Sequence, residues 1–250
     1  MKHAMIASLT VVLSLSFACT SNEEPPVDAP PGSAAVDVRI LNDCPELPCQ
    51  GPLEPGEYRW TFSDPTIDFT IPSPEWTWRY GGGGFELIAD ETPPPRHQGL
   101  YVPDGIYLIH DPTIASRDCE ESSEPGVGRS VSDLVEWLGA APGLVVTEPT
   151  PVTVGGFEGM QLDIEIDPEW RRTCPFSEGL PAVPLIFNGA APLGGYHWAI
   201  VPEQSLRWFI LDSEDGVIIV NLEDDPGGLS HEELMRAGGE IVESFAFSSS

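Results

Sequence analysis

Apolar and polar positions alternate along much of this chain with a period of two. EYRWTF (57–62) and IDFTI (67–71) alternate, FELIA (85–89) follows four glycines, and GIYLIH (105–110) is a short apolar run. A period of two sends successive side chains to opposite faces of a strand, and none of these stretches has helical spacing. VDVRIL (36–41) reads as a first strand. The pattern changes at residue 130. Ser130 and Asp133 are placed as a capping box, and Leu134, Val135, Trp137 and Leu138 recur at helical spacing until Pro142-Gly143 stops them.

Strands then resume. LVVTE (144–148) is one candidate. In TPVTVGGFEGMQLDIEI (150–166), Gly155-Gly156 turns a hairpin whose second arm alternates Leu162, Ile164 and Ile166 with Gln161, Asp163 and Glu165. That alternation predicts one face on the core and one in water. Residues 167–195 look irregular apart from PLIF (184–187). Strands are expected over 196–200, 206–211 and 216–222, the last two joined through Asp215-Gly216. A final helix opens at Ser230, with Glu233 as its capping-box partner and Leu234, Ala237, Ile241, Val242 and Phe245 on one side. ESFAF (243–247) returns as an edge strand or packed tail. About nine strands joined by hairpins, with two helices that do not alternate with them, predict an α+β fold. Its antiparallel sheet carries two main helices packed on it.

The first residues read as an address. Met1-Lys2-His3 is a short basic start, and residues 4–17 are apolar or small throughout. Fourteen helical residues reach about 21 Å, short of the roughly 30 Å hydrocarbon core, so a signal peptide over 1–18 is expected rather than a membrane span. Cys19 follows immediately, which resembles the lipobox of bacterial lipoproteins, where that cysteine thiol receives a diacylglycerol. Ser16 and Phe17 depart from the usual Leu and small residue of that motif. Residues 19–35, rich in Pro and acidic residues, read as a disordered tether, and 36–250 as a single α+β domain. The expected location is outside the cytoplasm, on the cell membrane, with plain secretion as the alternative.

Cysteine usage agrees with export. Beyond Cys19 there are Cys44, Cys49, Cys119 and Cys174, which allow three pairings in an oxidising compartment. Cys44 and Cys49 flank a four-residue loop that a local bridge would close, leaving Cys119 with Cys174. No metal is expected there, because the C-x4-C spacing is poor for zinc and no histidine lies near.

Two segments carry a family resemblance. PVTVGGFEGMQLDIEI (151–166) and EELMRAGGEIVESFAF (232–247) resemble the glycine hairpin and closing helix-strand of exported bacterial lipoproteins with a PsbP-like domain, including actinobacterial LpqN/LpqT-type lipoproteins. The resemblance implies a PsbP-like fold over roughly residues 55–247 and no shared catalytic residues. It makes Gly155, Gly156 and Gly159 turn residues.

The chain has 250 residues, 40 Asp+Glu against 11 Lys+Arg, and a formal charge of −29. Such a charge argues against nucleic acid and against electrostatic docking on anionic lipid. No nucleophile elbow, P-loop or dinucleotide motif occurs, and no cofactor is implied. Gly81–Gly84 reads as a turn. His231-Glu232-Glu233 lacks the second histidine of a zincin and reads as a helix start. His97, His110 and His197 are scattered. Asp212 to Gly216 superficially suggests a calcium loop but lacks the ligand spacing, and a hairpin turn is favoured. Asp163, Glu165, Asp167 and Glu169 could line one strand face as carboxylates, against the plainer reading of a solvated face.

Trp76, Trp78 and Tyr80 share one strand face by their spacing. They could stack a sugar or a flat ligand, or they could be the core side of the sheet, the reading favoured here. The sequence as a whole points to a lipid-anchored, extracytoplasmic, non-enzymatic binding or accessory domain, with an unknown envelope ligand or protein as its partner. Two alternatives stand beside it. One is a secreted hydrolase using paired carboxylates, the other a calcium-dependent cell-surface protein.

Overall fold

A computed structural model describes residues 37–41, 49–61, 65–81, 84–89, 103–188, 196–224 and 228–248. The leader, Cys19 and the tether, together with Cys44, the Cys49 side chain, His97 and the His197 side chain, lie outside the described residues. The described residues belong to the compact unit Val36–Ser250.

A broad antiparallel sheet runs through this unit. Its strands are β2 (Cys49–Pro52), β5 (Thr77–Gly81), β6 (Gly84–Ile88), β7 (Gly105–His110), β10 (Thr150–Val154), β11 (Phe157–Ile166), β14 (Ser205–Ser213) and β15 (Gly216–Asp224). They lie in the order β10-β11-β14-β15-β7-β6-β5-β2, with β9 (Leu144–Val146) also pairing β11. A small sheet holds β1 (Arg39–Ile40), β3 (Gly56–Trp60), β4 (Thr66–Ile71) and β16 (Ala246–Ser248); β1 and β3 run parallel. A second small sheet joins β13 (Tyr196–Ile200), β12 (Val183–Asn188) and β8 (Thr113–Ile114).

Both faces of the large sheet are covered. Phe85, Leu87, Ile106, Leu108, Phe209, Leu211, Ile218, Val220 and Leu222 meet Tyr58, Trp60, Ile67 and Phe69 of the first small sheet. The helix α2 (His231–Glu243) adds Leu234, Ile241 and Val242 to that cluster. From the opposite face, Ile88, Tyr107, Ile109, Leu162, Ile164, Leu206, Trp208, Ile210, Val217 and Ile219 meet Leu185, Ile186, Trp198 and Ile200 of the second small sheet. There α1 (Val131–Ala140) contributes Leu134, Trp137 and Leu138. The fold is α+β, with one helix and one small sheet on each face of the central sheet.

This double cover explains why GVIIVNL lacks alternation: seven consecutive residues of β15 are buried because each face meets a core. In β11 the expected alternation holds, with Leu162 and Ile164 buried and Asp163 and Glu165 more exposed. Both helices begin at the predicted capping boxes, Ser130 with Asp133 and Ser230 with Glu233.

Several expectations change. Among the described residues there are sixteen strands rather than nine, the additions being short or edge strands such as β2, β8 and β16. Between β14 and β15 the two turn residues are Glu214 and Asp215; Gly216, with φ +126°, follows them. The acidic run is therefore a tight hairpin and not a loop around an ion. Gly155 and Gly156 do form the turn, with φ of +58° and +94°, a two-residue loop with both centres left-handed. Gly159 is not a turn residue. It lies within β11, where a Cβ would sit 2.9 Å from Leu211 Cα and collide with the Ile210 carbonyl oxygen of β14.

The two segments that carried the family resemblance meet in space. Gly155 bridges Ala246, and its carbonyl oxygen accepts a hydrogen bond from Phe247 N at 3.3 Å. Phe157 stacks on Phe247 with ring centroids 5.0 Å apart. The closing tail is thus seated on the hairpin turn.

Candidate functional site

Two clusters of candidate chemistry stood out in the sequence, the aromatic stripe and the acidic face, and the structure puts each somewhere specific. The aromatic stripe turns inward. Trp76 is 2% exposed and Trp78 9%, while Tyr80 packs against the same core. Trp78 and Tyr80 gather around the fully buried Trp60, whose ring centroid is 6.0 Å from Trp78, 4.9 Å from Tyr80 and 4.6 Å from Phe85. These rings form the joint between β3 and the β5–β6 hairpin, and the two tryptophans have no broad face in water.

The four acidic residues of the second predicted cluster disperse. Asp163 takes a two-pronged ion pair from Arg207, its cross-strand partner, at 2.7 and 3.0 Å. Asp167 accepts from Glu169 N at 2.7 Å to shape the turn after β11, and Glu165 is exposed. His231 starts α2, with Nδ1 3.2 Å from Asp224 Oδ1. Among the described residues no group of three or more metal-ligating side chains occurs, and no helix is long and apolar enough to cross a membrane.

Buried carboxylates do occur, at positions the sequence did not mark. A row of facing residues crosses the central sheet: Arg79, Glu86, Tyr107, Asn221 and Trp208. Glu86, 6% exposed, receives hydrogen bonds from Arg79. Burial raises its pKa above the ordinary carboxylate value, against the opposing pull of the Arg79 charge. Glu223, 1% exposed, accepts from Trp198 Nε1 at 2.7 Å, Gln204 Nε2 at 3.0 Å and Asn221 Nδ2 at 2.8 Å. Asp104 accepts from Leu229 N and ties the approach to α2. Glu86 and Glu223 lie two strands and two residues apart, about 12 Å between Cα atoms from strand spacing. Each is held by its own donors, and the register places them in different rows rather than as one pair.

The hollows of the described residues that face solvent include two with defined linings. One is a groove lined by Val131, Pro151, Thr153, Glu158, Met160 and Asp212, bearing two acids and no base. The other lies beside α1, between Trp137, Pro142 and Trp170 on the walls and Arg117 and Arg172 at the lip. Its geometry is built by a disulfide. Cys119 and Cys174, 55 residues apart, are bonded with Cα atoms 5.6 Å apart. Each is preceded two residues earlier by an arginine, so the bridge brings Arg117 and Arg172 to one cleft. The Arg117 guanidinium lies 5.3 Å from the Trp137 ring centroid. Trp170 donates from Nε1 to the Ala182 carbonyl at 3.0 Å, and Ala182 N donates to Arg172 O at 2.9 Å. Ser177, fully buried, closes the turn beneath by accepting from Cys174 N at 3.0 Å. Sequence reasoning reached the disulfide but not the cleft. The available signal was the repeated R-x-C, at 117–119 and 172–174.

No family model and no curated protein matches the chain. Among solved structures it is similar to LpqN of Mycobacterium tuberculosis, described as involved in cell envelope biogenesis, with 16% identity, a TM-score of 0.38, and 81% of this chain and 92% of that chain covered. It is also similar to cyanobacterial PsbP (CyanoP) from Synechocystis sp. PCC 6803, with 8% identity, a TM-score of 0.35, and 83% and 99% covered. Likeness at these scores carries nothing of either protein's role across.

Proposed function

We propose that the chain is an exported, lipid-anchored, non-enzymatic binding or accessory domain of the cell envelope. The observation that carries the compartment is the Cys119–Cys174 disulfide, since such bridges persist where thiols are not kept reduced. In this reading residues 1–18 are removed, Cys19 holds the lipid, 19–35 is the tether and 36–250 is the working domain. Cys44 and Cys49 form a second, local bridge. The bonding of the buried carboxylates supports a non-enzymatic role. Glu86 is engaged by Arg79, Glu223 by three neutral N–H donors and Asp104 by Leu229 N, so each of the three accepts hydrogen bonds that hold it in place. The tight Glu214–Asp215 hairpin likewise speaks against a calcium loop there.

Expression in a bacterial host, followed by fractionation and intact mass measurement, tests the anchor. The expected product begins at Cys19, carries the mass of a diacylglyceryl group and partitions with membranes; C19S releases it. Recovery of the full chain from cytosol, with residues 1–18 attached and all thiols reduced, overturns the reading.

A further inference from the structure

The large sheet ends on β10, and among the described residues no strand lies beyond it. Val154 and Phe157 close the two-residue turn as a hydrogen-bonded pair, so bonding to β11 alternates along β10. Val152 and Thr150 turn their backbone groups toward β11. Thr153 turns its N–H and C=O outward, and Pro151 turns its C=O outward with no N–H to offer. The edge stops at Gly155, whose carbonyl already accepts from Phe247 N. Thr153 is therefore the residue that would set the register of any segment pairing here.

The groove beside this edge is roomy and one-sided in charge. Solvent-sized molecules reach about 510 Å³ of it, over Pro151, Thr153 and Met160. Glu158 lies opposite Thr153, and because the next residue, Gly159, faces Leu211, Glu158 also faces Asp212 across β11 and β14. Both carboxylates are exposed, and neither has a hydrogen bond or ion pair among the described residues. Like charges directly opposite in a sheet repel. Further along the same row, Asp212 faces Val217, whose carbonyl accepts from Asp111 N, and there Arg129 supplies a cation to Asp111. Glu158 and Asp212 have no such cation among the described residues.

From these observations we infer that β10 takes up an extended, basic segment of a partner protein as an added antiparallel strand. The inference rests on the reading of the chain as a binding domain and names its partner class. The partner residue opposite Thr153 exchanges both backbone hydrogen bonds with it, and the residue opposite Pro151 donates to the Pro151 carbonyl. Residues opposite one another in a ladder share a face, so both of these point to the groove side. A lysine or arginine opposite Thr153 starts two strand spacings, about 10 Å, from Glu158. The short Thr153 side chain between them lets the long one reach the facing carboxylates. A second copy of the chain is the wrong occupant. Pairing β10 with itself would bring another Glu158 and Asp212 to the same face, in a chain whose formal charge is already −29.

The test is a titration of the ¹⁵N-labelled full chain with a capped peptide of alternating lysine and valine. Saturable shifts are expected at the amides of Val152, Thr153, Glu158 and Asp212, with slower solvent exchange of the Thr153 amide. Two control peptides are expected to bind at least tenfold more weakly. One carries glutamate in place of lysine; the other has its lysine backbone nitrogens methylated, which keeps the charge but cannot pair with the edge. E158Q/D212N, a pair of surface changes, is expected to leave the rest of the spectrum unchanged. It should weaken the lysine peptide about fivefold at low salt, the effect of two exposed ion pairs, and less as salt is added. Four results overturn the inference: no saturable shift, equal binding of either control, unchanged affinity in E158Q/D212N, or a dimer in sedimentation that buries β10. A chain that partitions with membranes but takes no lysine peptide overturns this inference alone. A chain that binds the peptide but stays in the cytosol with its leader overturns the envelope reading alone.

Discussion

Replacing Gly155 by alanine tests whether the closing tail is locked to the hairpin or merely lies beside it. At φ +58° an alanine adopts a left-handed conformation, which costs roughly 1–2 kcal/mol. Its Cβ would also stand 2.8 Å from Phe247 Cε2 and 3.1 Å from the Phe245 carbonyl oxygen, so the Phe247 ring must leave. Its stack on Phe157, a contact of a kind worth about 0.5–1.5 kcal/mol, is then lost. The sum is about 2.5 kcal/mol, a fall of roughly 5–10 °C in thermal midpoint for a domain of this size. Gly156 is the control. Its φ is +94° and nothing lies within 4 Å of its Cβ position, so alanine there pays the conformational cost alone. A double-mutant cycle by thermal and urea unfolding separates the two. G155A and F247A should couple by about 1–2 kcal/mol, and G156A and F247A by less than about 0.5 kcal/mol. Equal coupling in the two cycles would refute the tail lock.

Two further outcomes are expected. Removing the disulfide in C119S/C174S opens a 55-residue loop, which the chain-entropy relation values at about 4 kcal/mol; the urea midpoint should fall accordingly, with no change in the slope beyond that of a less constrained unfolded chain. An unchanged midpoint would mean that the bridge is not formed in the purified chain. E86Q probes the buried carboxyl of β6. Because burial raises the folded-state pKa of Glu86 above its unfolded value, the native state holds the proton more tightly, and the contribution of Glu86 declines as pH climbs from the unfolded value of about 4.3 through the folded one. The stability of E86Q relative to the parent should therefore improve over that rise, measured as the difference in urea midpoints. A difference that moves the other way would show that the Arg79 charge, and not burial, governs this group.

Local rules written in the sequence governed the start and character of individual elements. Ser130 with Asp133 and Ser230 with Glu233 determined where both helices begin, because the first turn of any helix needs side-chain acceptors for its orphan N–H groups. Gly155-Gly156 determined a hairpin, because a two-residue loop with positive φ at both centres matches the right-handed twist of its arms. Alternation in β11 revealed its buried face. Tertiary structure alone decided what covers that face and its reverse. The unbroken apolar run of β15 is compatible with several buried arrangements until small sheets are seen on both sides. It also decided that Trp76 is buried and Trp78 packs against Trp60 rather than facing water, since spacing places side chains on one side of a strand without saying which side is dry. The cleft is the extreme case. Arg117 and Arg172 lie 55 residues apart, like the cysteines beside them, and only the folded chain, by bonding Cys119 to Cys174, makes two unrelated loops into one lip.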